Sequence, residues 1–504
     1  MTKRKASLAK KLHKWPGLIV GIFLVFFSIS GIFLNHRELI SHLDVKRKYL
    51  PGSYSYKDWN LASVRGACEK NSDSIFLYGN TGIWLTDSAY RNFQSFSEGI
   101  PDAAEHRKTY DVLQFQGALF AATNFGLYQK NGTLGQKVTM PLEEHRVVDL
   151  EIIESELYVL TRSHLLKWNG QERVPLEILE LPYPEDYTDD LSLFKTLWDI
   201  HGGAFFGFPG KLFVDVMGVI TLLLSVTGIL FFMHPRLRKN SIKYKKYVPA
   251  GLSKIMLRYH NWLGKYTFVV IALIALTGMF LRPPLLIPIA GVNVPVVPYS
   301  HYDQPNPWYD KLRAMLYDKE QETILLSTSE GMYKTGTKLQ GEIKRFNHQP
   351  VVSVMGINVF RHLAAGDYLV GSFSGLYRWQ PDQQYLLNMV THKQETAKEQ
   401  TGNPFGGTAV TGFVENPDGY AFLFDYDNGV AGLGHQYRFG KMPEELTEDG
   451  TISLWNLALE VHSGRIYSAL LGDFYILVVP ISGIVTIMVV ISGYVIYRRK
   501  FKKR

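Results

Sequence analysis

The stretch LHKWPG, residues 12–17, opens the first long apolar run of the chain, and YHNWLG, residues 259–264, opens another. Each places a histidine at the start of a membrane-length segment. Four such runs occur, at about 15–34, 212–233, 262–281 and 474–497. A bilayer crossing needs roughly 20 apolar residues, so each run is long enough to span. The first run is too long for a signal peptide, and no small-residue cleavage site follows its SGIFLNHREL end.

Charge sets the topology. Residues 1–14 hold six Lys/Arg, 235–258 hold eight and 498–504 hold six, and none of these segments contains an acid. Removing those twenty from the net +8 leaves about −12 for the remainder. By the positive-inside rule, both termini and the 235–258 loop are expected in the cytoplasm. The long segments 41–195 and 285–455 are then expected on the other face. Because each basic run abuts a span, a nucleic-acid partner is not expected. A single cysteine, Cys68, excludes a disulfide framework, a CxxCH haem attachment and a cysteine iron–sulfur site within one chain.

The order span, long loop, span, basic loop, span, long loop, span is one unit used twice. His13, Trp15, Gly17 and Ser30-Gly31 correspond to His260, Trp262, Gly264 and Thr277-Gly278, with 18 residues from histidine to the later glycine in both. IHGGAFFG (200–207) and VHSGRIYS (461–468) precede the second and fourth spans. There the later pairs, Thr227-Gly228 and Ser492-Gly493, differ in spacing by four residues, about one helical turn. Equal orientation of the halves implies a parallel repeat about an axis along the membrane normal. The expected fold is therefore an integral-membrane four-span α-helical bundle carrying a large β-rich extracytoplasmic head. The expected divisions are 1–40, 41–195, 196–234, 235–258, 259–284, 285–455 and 456–504.

The long loops repeat internally. SIFLYGNTGIWLTD (74–87), ALFAATNFGLYQKNG (118–132), ELYVLTRSHLLKWNG (156–170), TILLSTSEGMYKTG (323–336) and DYLVGSFSGLYRWQP (367–381) each read as strand, turn, strand. Gly82 to Gly126 and Gly331 to Gly375 are both 44 residues apart. That period fits four-stranded propeller blades, with both loops building one propeller-like head. The alternative is two unrelated β-rich domains.

Histidines near span ends fall in two layers: His13, His234 and His260 on the cytoplasmic side, and His36, His201 and His462 on the outer side, with His42 further out. Histidine near a bilayer is a functional hypothesis by default, against an interfacial capping role. The repeat makes His13 and His260 mates, and His201 and His462 mates. Two facing imidazoles at each level suit the axial positions of a haem iron. No further ligands at zinc-like spacing appear. Gly17 and Gly264, four residues after their histidines, are expected to clear room for a flat ligand. Gly203 and Gly464 give a weaker signal of the same kind. The Ser30-Gly31 and Thr277-Gly278 pairs are expected to serve helix packing. His36 and His234 have no histidine mates; His36 could displace one outer ligand, while His234-Pro235 reads as a helix end. Trp15 and Trp262 read as interfacial belt residues, and Asp215 and Asp473 as structural rather than proton-relay groups.

LHKWPGL, the later SGIFL and HGGAFFGFPGK (201–211) resemble the PepSY-associated transmembrane family, with the fourth span the loosest match. The resemblance covers the spans; the loops do not read as PepSY domains. It implies similarity to bacterial inner-membrane siderophore reductases, with two b-type haems held by membrane histidines. His13, His36, His201, His260 and His462 thereby become haem-ligand candidates. The implied activity is oxidoreductase: reduction of extracytoplasmic ferric iron held by a siderophore or similar chelate. Electrons would come from quinol or a cytoplasmic reductase, since no GxGxxG nucleotide site follows a strand. A haem-free, membrane-anchored binding or regulatory protein with a β-rich sensor head is the alternative. A transporter is less favoured, because the spans hold few ionisable residues and no interrupted helix pair.

Overall fold

The computed structural model describes all residues except 1–2, 133–134, 171–174, 244–251, 352–355, 398–406 and 502–504. His234 lies in a helix, but its side chain is outside the described residues, as is much of the 235–258 loop. The chain divides into two compact units. One comprises Met1–Ile40, Asp189–Asp303 and Leu454–Arg504; the other comprises Ser41–Thr188 and Gln304–Ser453.

The first unit is helical. Its four candidate spans are Leu8–Asn35, Ala204–Met233, Lys254–Met279 and Arg465–Arg499. A helix satisfies its own backbone, which lipid cannot do, so an apolar run of this length is helical in a bilayer. The first span packs on the second and fourth, and the third packs on the second and fourth. Trp15 and Trp262 are exposed, as belt residues are.

The second and fourth spans share an unusual lead-in. A short helix carries the histidine (Leu193–Gly202; Leu454–His462) and stops at a left-handed glycine, Gly203 (φ 80°) or Gly464 (φ 78°). Only glycine adopts that conformation without strain. At Gly203 a Cβ would also lie 2.2 Å from the Gly210 carbonyl oxygen. These glycines therefore cap helices rather than clear room for a ligand. A 3₁₀ turn follows in each half. The second half then inserts the four-residue helix Ser468–Leu471 ahead of its long helix, Val478–Phe501, which accounts for the four-residue spacing difference.

The second unit is β-rich. Six antiparallel sheets follow one another along the chain, three from each long loop, with three to five strands each. The first strand of each sheet is Gly66–Asn71, Thr109–Phe115, Val147–Ile153, Leu312–Asp318, Val359–Ala364 or Val410–Glu415. Each of these packs on the first strand of the next, and the last packs on the first, closing a propeller-like ring. The 44-residue glycine spacing is the distance between equivalent hairpins of neighbouring sheets. Polar side chains latch adjacent sheets. Asp111 accepts from Leu150 N (3.2 Å), Asp149 from Met315 N (2.7 Å) and Glu151 from Tyr317 N (3.1 Å). Burial pushes the carboxyls of Asp111 and Asp149 up, and that of Glu151 up to about 7. Strand Asp44–Lys46 pairs with Thr451–Ser453, joining the start and end of this unit.

Candidate metal centres

Four histidines meet as two pairs inside the helical unit. His13 faces His260 with ring centroids 6.1 Å apart and planes at 77°. His201 faces His462 at 5.8 Å and 54°, with their Nε2 atoms 3.5 Å apart. In both layers a histidine meets its repeat mate.

The way each ring is held is the same in all four places. Nδ1 of His13 bonds the carbonyl of Val489 (2.9 Å), that of His201 the carbonyl of Ile274 (2.9 Å) and that of His462 the carbonyl of Phe27 (3.0 Å). His260 bonds the backbone of Leu224 and lies 3.0 Å from Thr227 Oγ1. Every one of these carbonyls stands three residues before a Ser/Thr-Gly pair: Ser492-Gly493, Thr277-Gly278, Ser30-Gly31 and Thr227-Gly228. The glycine leaves space for the imidazole. A Cβ would stand 2.5 Å from His201 Cε1 at Gly278, 2.8 Å from His13 Cε1 at Gly493, and 3.1 Å from His462 Cε1 at Gly31. At Gly228 the distance to His260 Cε1 is 3.5 Å. These pairs are histidine seats, so the packing role expected for Ser30-Gly31 and Thr277-Gly278 is corrected. Gly17 and Gly264 face Val489 and Leu224 at 3.5 and 3.8 Å, in ordinary contact with the helix on which their own histidine is seated. They govern helix approach rather than opening a ligand face.

The seats fix the tautomer. Each seat hydroxyl donates into its own helix: Ser30 to Phe26 O (2.7 Å), Thr227 to Leu223 O (2.6 Å), Thr277 to Leu273 O (3.0 Å) and Ser492 to Val489 O (2.9 Å). Carbonyl and hydroxyl oxygens alike therefore act as acceptors toward Nδ1. The proton of a neutral imidazole must sit on Nδ1, leaving a lone pair on Nε2. In each layer two such lone pairs belong to facing rings. Without a proton or cation between them they repel; with a metal ion they become two ligands. The outer pair, with its Nε2 atoms 3.5 Å apart, would offer two nitrogen ligands to an ion bound between them. Two nitrogens are too few for a tetrahedral zinc site, and they suit an ion whose other positions are filled by a macrocycle.

His36 is not part of either pair. Its Nε2 lies 2.9 Å from Asp215 Oδ2, and Asn35 Nδ2 donates to Asp215 Oδ1 at 2.8 Å. The carboxylate engages one ring nitrogen of His36, which stands outside both facing pairs. Its side chain is about a third exposed, against 11% for Asp215. Asp473 is exposed, as is His42 in the other unit. Cys68 is half-buried, and burial pushes its thiol up to about 11, which leaves it unreactive. In the β-rich unit Asp318, Glu320 and His362 cluster. Asp318 already accepts from Glu320 N, Gln321 N, Gly366 N and Tyr368 Oη at 2.7–3.1 Å, so it holds turns together rather than an ion.

The family described as PepSY-associated TM region matches residues 10–500. No curated protein matches the chain. Among solved structures, the extracellular domain of a hybrid two-component system protein from B. thetaiotaomicron is similar at 9% identity and TM-score 0.37, over 74% of this chain and 32% of that one. A second such domain from the same organism gives 8% and 0.34, over 74% and 40%. Streptogramin B lyase gives 6% and 0.33, over 74% and 93%. The chain thus spans a third to two fifths of the first two structures.

Proposed function

The chain belongs to the PepSY-associated TM family, and on that premise we propose that it carries electrons across a bacterial inner membrane to an extracytoplasmic ferric chelate, through two haem b groups. His13 and His260 would hold one, and His201 and His462 the other. When bound, each supplies a one-electron couple that no side chain of the chain offers. The observation that supports this reading is the fourfold seat, which holds each Nδ1 and brings repeat-mate histidines face to face in both layers, with the Nε2 atoms of His201 and His462 3.5 Å apart.

The chain's own residues do the rest. A backbone carbonyl accepting from Nδ1–H fixes ring orientation and raises ligand basicity, the lever by which an outer-shell bond tunes a metal. Ser30, in the outer seat, stands 17 residues beyond His13, about 26 Å of helix rise. That approaches the ~30 Å hydrocarbon thickness, so one pair serves each face. Electrons would be supplied by quinol or a cytoplasmic reductase. A ferric siderophore is the acceptor suggested by the resemblance to siderophore reductases. The test is an absorbance spectrum of the purified protein, oxidised and dithionite-reduced, followed by reduction of a ferric chelate in vesicles. A colourless protein, even after expression with added haem, would favour a haem-free sensor instead.

A further inference from the structure

Beside the outer pair, two arginines stand where the repeat places none. Arg282 lies four residues after Gly278, the glycine against which His201 rests, and Arg465 lies three residues after His462. Arg282 follows the end of the third span at Met279 and Arg465 begins the fourth, and these two spans pack together. Each arginine is within range of the other's charge. The Nε of both is buried and has no hydrogen-bond partner among the described residues. Tyr475 hydrogen-bonds Arg282, and Glu460 pairs with Arg465 at 2.5 Å, so one carboxylate faces two guanidinium groups. Like charges held together at a membrane boundary are costly unless an anion offsets them.

Symmetry gives the purpose. The repeat mates of Arg282 and Arg465 are Asn35 and Ala204, both uncharged, and Asn35 is tied to Asp215. The two histidines of the outer layer are equivalent, but their surroundings are not: one half offers two guanidinium groups against the single carboxylate of Glu460, and the other offers Asp215, engaged by Asn35 and His36. A tetrapyrrole has the same asymmetry, with both of its carboxylates on one edge. We infer that Arg282 and Arg465 form the clamp for the two propionate carboxylates of the group held between His201 and His462, and so set which way round it lies. This rests on the proposed haem reading.

The test compares haem release to excess apomyoglobin from the purified protein and from Arg282→Gln, Arg465→Gln and Arg465→Lys variants, with the inner haem as internal control. The outer signal is identified as the one missing from His462→Ala. Each Arg→Gln change is expected to speed outer release about tenfold, the factor carried by one charge-assisted hydrogen bond, and to leave inner release unchanged. Arg465→Lys should fall between. Haem dimethyl ester, which lacks free carboxylates, should leave the unsubstituted outer site as fast as haem leaves the variants; this arm needs no variant to fold. Two haems with outer release unaltered by the substitutions or by esterification overturn the clamp alone, whereas a chain with no haem overturns the proposed function. A rise in KM for a ferric chelate with unchanged release would assign the arginines to the incoming substrate and likewise overturn the clamp.

Discussion

Replacing Gly278 with alanine tests the seat geometry directly. The added methyl would stand 2.5 Å from His201 Cε1, 2.9 Å from Nδ1 and 3.2 Å from Nε2. Carbon atoms rest about 3.5 Å apart, so the ring must retreat by about 1 Å. The bond from Nδ1 to Ile274 O, now 2.9 Å, stretches past hydrogen-bonding range if the retreat is along it. Losing it costs about 1 kcal/mol, and Nε2 moves well beyond the ~0.2 Å tolerance of a metal site. Graded clashes give a ranking across the four seats: 2.5 Å at Gly278, 2.8 Å at Gly493, 3.1 Å at Gly31 and 3.5 Å at Gly228. Haem per chain by pyridine haemochrome, with the reduced α-band, should show Gly278→Ala losing most of the outer haem. Gly493→Ala should lose much of the inner one, Gly31→Ala less of the outer, and Gly228→Ala should match the unsubstituted protein. Gly17→Ala, whose new methyl meets Val489 at 3.5 Å, is the control. Full haem in Gly278→Ala together with loss in Gly228→Ala would refute the reasoning.

His36→Ala should keep both haems and lower thermal stability by roughly 1 kcal/mol, since a partly exposed hydrogen bond to Asp215 is lost and Asp215 keeps Asn35; loss of a haem on quantification would place His36 in the ligand set. Gly203→Ala should cost about 1–3 kcal/mol in a thermal unfolding assay, because φ of 80° is strained for alanine and the methyl meets Gly210 O. The β-rich unit should weaken as pH rises. Glu151 has a folded-state value of about 7, above the unfolded value, so its contribution is complete below about pH 4.5 and is lost as pH passes 7, up to about 3 kcal/mol. Glu151→Gln should flatten that slope in melts followed by tryptophan fluorescence, and an unchanged slope would discount the residue.

The spans were legible because apolar runs of this length have few other uses, and the two halves because His, Trp and Gly recur at equal spacing. The pairing of mates followed from that repeat. The six-sheet ring was partly legible through its 44-residue period, though strands as short as Phe93–Ser95 carry no pattern of their own. The seats were not legible. A Ser/Thr-Gly pair in a span looks like helix packing, and only the fold shows that each pair sits three residues past a carbonyl holding a histidine on another helix. Their signal was fourfold recurrence, one pair per span, which a comparison of the first and third spans alone understates. The tie of His36 to Asp215 was not legible because it crosses 179 residues and two helices. Arg282 and Arg465 went unnoticed because basic residues near span ends usually report topology.

The most direct test of the account is haem content per chain with the reduced-minus-oxidised spectrum, measured on the purified protein and on His13→Ala and His462→Ala. The account predicts two haems per chain with a sharp reduced α-band, and one haem in each variant, with the losses falling on different components. A protein that binds no haem, or variants that lose the same component, would contradict it.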